Sequence, residues 1–343
     1  MAKQGYLGAF YAKVLDKVVE DCEDAWDEKV DPDVTSEIDE VDYKEGSASV
    51  KLTVAGTISD GDILATEIVD LDLTNHRRIT LWIKSLETVA SGDLQLLLDE
   101  SVECGSPEET LDIPALTADT WTAVTLTLSD PSVLDAVVSI GLKYTANSKA
   151  NTIHIDAVKA ISSLTVTDEA VDTGDGTTKE FDLDNANVDI DSLVVKVDGT
   201  VVKDYEVTVQ GHITFVTAPG DTLAITASYT YWVVAQAGGF RNWSFSYTGD
   251  TVERTDFSST GWKTFVGLQK GWTGSAEQFW LNEKWTDEIT NLVIVKFYED
   301  TGNDQRYEGW ARLTGVDVSC AVDSLIMSPI SFQGTGVLNY EST

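Results

Sequence analysis

Three histidines (His76, His154, His212), three cysteines (Cys22, Cys104, Cys320) and 58 carboxylates are the side chains of this 343-residue chain that could do acid–base, nucleophilic or metal chemistry. Their spacing supports none of these. The histidines are isolated from one another, and no Gly-x-Ser-x-Gly occurs. Abundant carboxylates do not by themselves define a hydrolytic pair. The cysteines have no metal-ligand spacing, and an odd, widely separated set argues against a disulfide framework. A Cys22–Cys104 bridge would need an oxidising compartment, so buried free thiols are expected. The triplet Gly174-Asp175-Gly176 could touch calcium, but no ligand array follows it, so it is read as a plain loop. No catalytic residue is assigned, and the chain is not read as an enzyme.

The elements around these residues point to sheet. Prolines are few, glycines many, and Val/Thr/Ile-rich runs alternate with polar residues, which favours an all-β protein. No apolar run approaches a membrane span, so no membrane insertion is expected. The opening MAKQGYLGAFYAKV lacks the regions of a signal peptide, so synthesis in a cytoplasm is expected. Net charge is −35 and unevenly placed. Residues 1–20 carry +1, residues 21–160 hold 29 acids against 9 bases, 161–232 hold 13 against 3, and 233–343 hold 14 against 8. Such an acidic middle repels nucleic acid and keeps crowded copies soluble. A generally acidic, salt-adapted composition is the competing explanation; 17 Lys against 6 Arg does not especially favour it.

Residues 21–161 contain seven strand-like runs, at 49–54, 63–73, 79–86, 94–100, 122–128, 136–144 and 152–161, with turn residues between them. That number predicts an antiparallel sandwich or jelly roll. Several details resemble the galactose-binding-like jelly rolls of carbohydrate-binding modules: Cys22-Glu23-Asp24, Glu45-Gly46-Ser47, Leu81-Trp82-Ile83, Thr120-Trp121-Thr122 and Ile155-Asp156-Ala157-Val158. The resemblance implies a structural calcium held by Glu23 and Asp156, a hard cation on oxygen ligands. The alternative is that both are solvated edge carboxylates. A sugar site would need exposed aromatics beside polar groups, and Trp82 and Trp121 read as core. Host-surface glycans are therefore a secondary partner expectation, because fold resemblance does not transfer binding.

Residues 162–232 read as a second, small β domain, with a hairpin turn at Val197-Asp198-Gly199-Thr200 and another turn at Ala218-Pro219-Gly220-Asp221. It resembles small β modules of tailed-phage virion proteins. The Gly-punctuated, basic start of the chain matches the character of the segment after Trp232. Residues 1–20 and 233–343 are therefore read as one discontinuous domain, interrupted by two outward modules.

In the last hundred residues, 241–257 predict a hairpin turning at Gly249-Asp250. Trp243, Phe245 and Tyr247 then face a core, while Ser244, Ser246, Glu253 and Thr255 share a wet face. The connection 257–272 reads as a long loop whose Trp262, Phe265 and Trp272 dock on a neighbouring subunit. Phe279, Glu283, Thr286 and Ile289 predict one short helix.

The ordered set Gly238, Gly239, Arg241, Trp243, Ser244, Thr255, Asp256, Phe257, Gly261, Trp262, Trp272, Gly274, Ser275, Tyr307, Gly309, Phe332, Gln333, Gly334 and Gly336 resembles the major tail tube protein of long-tailed, non-contractile (siphovirus-type) phages. That resemblance implies a barrel-forming β-sandwich that stacks as hexameric rings around a DNA-conducting lumen. Ser244, Ser246, Glu253 and Thr255 would then line the lumen. The implied partners are copies of itself, other tail proteins, and genomic DNA passing without specific binding. The implied location is the virion tail, assembled in the host cytoplasm, and no cofactor beyond the calcium is implied. The alternative is a carbohydrate-binding adhesin of a virion. The two interrupting modules depart from the minimal pattern and leave the path of the N-terminal arm open.

Overall fold

The computed structural model describes residues 8–256, 262–279, 285–320 and 325–342. Among these the protein is all-β, and the only helical pieces are single 3-10 turns at Val102–Cys104, Pro131–Val133 and Thr301–Asn303. The expected short helix is absent from them. Residues up to Gln278 belong to a strand, Phe279 bridges Met327, Ile289 bridges Leu313, and Thr286 lies in a turn. Glu283 lies outside the described residues. A helix of about three turns carried by four face positions over 279–289 has little cooperative support of its own, so at its two described ends bridges to other chain segments prevail.

The chain divides into two compact units, Val14–Leu164 and Met1–Lys13 with Thr165–Thr343. Val14–Leu164 is a sandwich of two antiparallel sheets. One runs in the order 122–127, 78–85, 151–161, 49–54, 34–39, with Lys17–Glu20 also on 151–161; the other runs 29–30, 63–71, 137–144, 94–99, 109–112. Alternating residues such as Ile79, Leu81 and Ile83 point inward and are buried with Trp26, Leu52 and Ile155 in one core. The alternation at 78–85 shows why period-2 sequence becomes a two-faced sheet. Cys22 and Cys104 are buried free thiols in this unit; Cys320, in the other, is free but exposed.

The other unit is built on a seven-stranded antiparallel sheet. Its order is Val234–Gln236, Ala9–Lys13, Leu292–Asp300, Gln305–Val316, Ile330–Glu341, Phe265–Gln278 and Phe240–Glu253. The N-terminal strand is therefore an interior strand, second from one edge: Phe10 pairs with Phe297, and Tyr11 with Gln236. Its contribution to this sheet ends at Lys13, earlier than the expected boundary at residue 20, because Lys17–Glu20 pairs in the sandwich instead.

Residues 165–232, expected as a separate module, share this unit. They form a four-stranded and a three-stranded sheet around Phe181, Val195, Ile213, Phe215 and Tyr229. Asp198 and Gly199, both at positive φ, make the expected two-residue hairpin turn. This small domain is seated on strands 292–300 and 305–316. Val209 packs with Leu292, Ile294 and Trp310, and the Trp310 indole N–H donates to the Val188 carbonyl at 2.7 Å. Glu308 is fully buried there. It accepts from Gln210 at 2.6 Å and from Arg306 at 2.8 Å, and stands 3.4 Å from Lys296, whose ammonium pKa is pushed down by burial.

Candidate functional site

The two faces of the seven-stranded sheet differ in chemistry. One is aromatic. Phe297 lies 5.7 Å from Phe10, 5.3 Å from Trp243 and 5.7 Å from Phe245, ring centre to ring centre. Phe10 and Phe240 approach to 4.7 Å, so the sheet curls until strands near its two ends meet over this core. Such offset and tilted ring pairs add to the burial of large apolar area.

The other face carries hydroxyls. Ser244 pairs with Ser275, which pairs with Ser331; Ser246 pairs with Thr273, which pairs with Gln333. Ser244 and Ser246 are exposed, and the Ser244 and Ser275 hydroxyls are 3.0 Å apart. Thr314 donates to the Ser331 carbonyl at 3.1 Å, and Gln333 to the Trp272 carbonyl at 3.2 Å. These residues line a shallow concavity of about 380 Å³ whose lining holds no charged side chain among the described residues. At its border Arg312 is tied to Asp191 at 2.8 Å and to the Thr290 carbonyl at 3.2 Å. The surface therefore offers water many weak donors and acceptors but no row of cations for phosphates.

Only half of the expected wet set lies here. Gly249 and Asp250 are not a turn but the interior of the unbroken 14-residue strand Phe240–Glu253, which pairs with Phe265–Gln278. An extra residue sits in the partner strand between Gly267 and Lys270, which lets the ladder continue past Gly249. Period 2 along an unbroken strand puts Glu253 in phase with Trp243, Phe245 and Tyr247 rather than with Ser244. Glu253 instead pairs with Lys263 at 2.8 Å, which holds its carboxyl below the usual range, and the Thr255 hydroxyl accepts from the Thr264 N–H at 3.2 Å. Thr273, Ser275, Thr314, Ser331 and Gln333 complete this face; Ser275 and Gln333 belong to the resemblance set without an expected place on it, and the other three carry no sequence expectation. The signal was the alternation Trp272, Gly274, Ala276 against Thr273, Ser275, Glu277, blurred by its glycine.

The three aromatics expected to dock on a neighbour separate. Trp272 is 1% exposed and belongs to the core, its ring edge-on to Phe297 at 6.4 Å. Residue 272 lies in a strand rather than a loop, and its phase there points it inward. Trp262 is 81% and Phe265 57% exposed. Phe257, with 258–261, lies outside the described residues. Beyond Gly249 on one strand and Gly271 on the other, every described strand residue is exposed, including Val252, Val266 and Leu268. The sheet thus extends into a two-stranded arm with an apolar surface.

In the sandwich unit, Glu23 and Asp156 converge on one turn. Glu23 accepts from the Ser47 N–H at 2.8 Å and the Ser47 hydroxyl at 2.5 Å, which hold its carboxyl below the usual range. Gly46 is at φ +65°, and a Cβ there would fall 1.7 Å from Glu23 Oε1. Asp156 is fully buried, and its Oδ2 accepts from the N–H groups of Lys44 and Glu45 at 2.5 and 2.9 Å. Its Oδ1 has no hydrogen-bond partner, and burial pushes its pKa up.

Trp82 and Trp121, expected in the core, are half-buried and lie outside it, because residues 78–85 alternate and Trp82 falls on the outer phase. The Trp121 indole N–H donates to Asp42 at 2.7 Å, and Lys84 bridges Asp42 and Asp119 at 2.8 and 2.7 Å. The His154 ring lies 6.0 Å from the Trp121 ring and contacts Asp39 at 3.3 Å; Lys44 sits 5.0 Å from the Trp82 ring centre.

No family model and no curated protein matches the sequence. Among solved structures the chain is similar to the tail of an empty GTA particle of C6 symmetry, at 14% identity over 32% of this chain and 87% of that one, TM-score 0.27. It is also similar to a family 30 carbohydrate-binding module (14% identity, 43% and 88% of the two chains, TM-score 0.31). A family 11 module from Clostridium thermocellum, in complex with a β-1,3-1,4-mixed-linked tetrasaccharide, is similar at 18% identity over 45% and 88% of the two chains, TM-score 0.28. At these values the likenesses assign no function.

Proposed function

We propose that this chain is a structural virion protein, a tail tube subunit that assembles with its own copies into stacked, hexameric rings around a DNA-conducting channel. One observation carries the reading. A single antiparallel sheet has a closed aromatic core on one face, an uncharged hydroxyl concavity on the other, and an apolar two-stranded arm extending from its end. Ser244 and Ser246 face the channel water, and DNA passes them without finding phosphate partners. Residues 21–161 and 162–232 are decorating β domains of that subunit. Other tail proteins are its further partners, and it resides in the virion tail after assembly in the host cytoplasm. The sequence pattern from Gly238 to Gly336 supports the same reading. Negative-stain microscopy of the purified full chain is expected to show rings or hollow filaments. Particles that stay monomeric at every concentration and salt condition would overturn it.

A second reading, a glycan-binding surface on the sandwich, is favoured by the Trp121, Asp42, Lys84 and His154 cluster, where half-buried aromatics stand beside polar groups. Binding of soluble oligosaccharides that Trp121→Ala abolishes would support it; no binding across a broad glycan panel would remove it.

The proposed calcium fits the residues present. The unpartnered, buried Asp156 Oδ1 is the kind of oxygen a hard cation satisfies, and Glu23 lies on the same turn. Bound there, it would join the segment around Glu23 to strand 151–161. Calcium should raise the melting temperature of the chain, and Asp156→Asn should cancel the rise. An equal response in both proteins would place the ion elsewhere.

A further inference from the structure

We infer that the apolar arm of one copy seats in a groove of a second copy, between the bulged strand 330–341 and the small domain 165–232. The inference rests on the assembly reading above and adds the receptor for the arm.

The arm is an unfinished surface. Val252, Trp262, Phe265 and Leu268 are each more than half exposed. Two-stranded ribbons alone are marginal in water, and exposed apolar edges recruit partners. Among the described residues the arm does not cover itself by folding back. Its ladder continues past the bulge to the pair Glu253–Phe265, so four residues beyond Gly249 reach about 13 Å from the root. The root is fixed as well: the Tyr247 hydroxyl donates to the Leu338 carbonyl at 2.6 Å.

The groove is also unfinished. The trough is a cavity of about 620 Å³, and a smaller one of about 330 Å³ at the arm's own root, lined by Tyr247, Lys270 and Gly271, adjoins it at Gly336 and Val337. Ile190, Leu193, Tyr205, Val207 and Trp310 make its apolar wall. A bulge shapes its floor: Trp310 pairs with Thr335 and Glu308 with Asn339, so residues 336–338 oppose a single residue, Gly309. Gly336 takes φ +74°, and Val337 is left 64% exposed in the trough.

Charge selects the occupant. Copies of a chain with net charge −35 repel one another across most surfaces. Residues 249–270 are the exception, with Asp250, Glu253 and Asp256 balanced by Arg254, Lys263 and Lys270. The trough mouth is balanced too, Lys203 standing with Glu206. An apolar, neutral arm and an apolar, neutral trough on different parts of one chain make a head-to-tail contact that propagates from copy to copy.

The test uses the full-length chain in a Cys320→Ser background, since Cys22 and Cys104 are buried. Chains with Thr251→Cys on the arm are mixed with chains carrying Lys203→Cys on the trough rim, assembled, and treated with a short bismaleimide; Asp250→Cys replaces Thr251→Cys if that variant fails to assemble. The expected result is a covalent heterodimer that forms only in assembled material. Trp262→Ala and Val337→Asp should each lower the assembled fraction at least tenfold without shifting the melting curve of the free subunit. Assembly that proceeds with the arm cysteine linking to other positions overturns the groove and leaves the assembly reading intact. A Cys320→Ser parent that never assembles overturns both.

Discussion

Gly334 lies against the face of Trp272 so closely that a Cβ on Gly334 would be 2.1 Å from the Trp272 Cε2 atom. The segment Gln333-Gly334-Thr335-Gly336 is therefore a packing device: its first glycine admits the indole and its second, Gly336, turns the bulge. Gly334→Ala forces the ring or the strand to move, and overpacking of this kind typically costs about 1–3 kcal/mol. Chemical denaturation of the full chain should show that loss. Because Val14–Leu164 has its own core, its transition should stay in place.

Trp262 and Trp272 should respond oppositely to the same change. Trp272→Ala empties a buried site and should cost about 3–5 kcal/mol of subunit stability. Trp262→Ala removes an exposed ring and should leave subunit melting unchanged while abolishing assembly, by about 2 kcal/mol or more per contact if it anchors an interface. Sedimentation and melting of the two variants check this. Equal loss of subunit stability in both would remove Trp262 from the docking surface.

The hydroxyl face makes a charge prediction. Ser244→Lys with Ser246→Lys should leave the subunit folded, since both sites are wet. It should give tubes that retain DNA at low salt and release it as salt rises. Filter binding across a salt series reads the effect; no gain in DNA retention would place these serines off the channel.

Glu20 should make stability pH-dependent. Burial, reinforced by Asp21, Asp24 and Glu67 and opposed by the Cys22 N–H, pushes its pKa from 4.5 up to about 7. The folded state therefore holds the proton more tightly. This stabilisation is complete below pH 4.5 and is lost as pH rises through 7. Glu20→Gln should flatten that part of the melting profile and exceed the parent in stability at pH 8. Parallel profiles for the two proteins between pH 5 and 8 would show that Glu20 is not held in this way.

Local alternation alone was enough to determine much of this protein. Strands 49–54 and 94–99 of the sandwich, the Asp198-Gly199 turn, and the opposition of Trp243 and Phe245 to Ser244 and Ser246 all follow from period 2 and turn chemistry, which are properties of neighbouring residues. What the chain could not disclose locally was decided by partners distant in sequence. Gly249-Asp250 has turn composition, yet strand 265–278 continues the ladder past it, which sends Glu253 and Thr255 out along the arm. Trp272 sits among glycines like a loop anchor, yet the space above Gly334 makes it core. The small domain has a complete β pattern of its own, yet Trp310 and Glu308 of the sheet complete its burial. Trp82 reads as core until strand pairing fixes which phase of 78–85 faces inward. In each case the deciding quantity was burial, which a residue acquires only when the segment opposite it arrives.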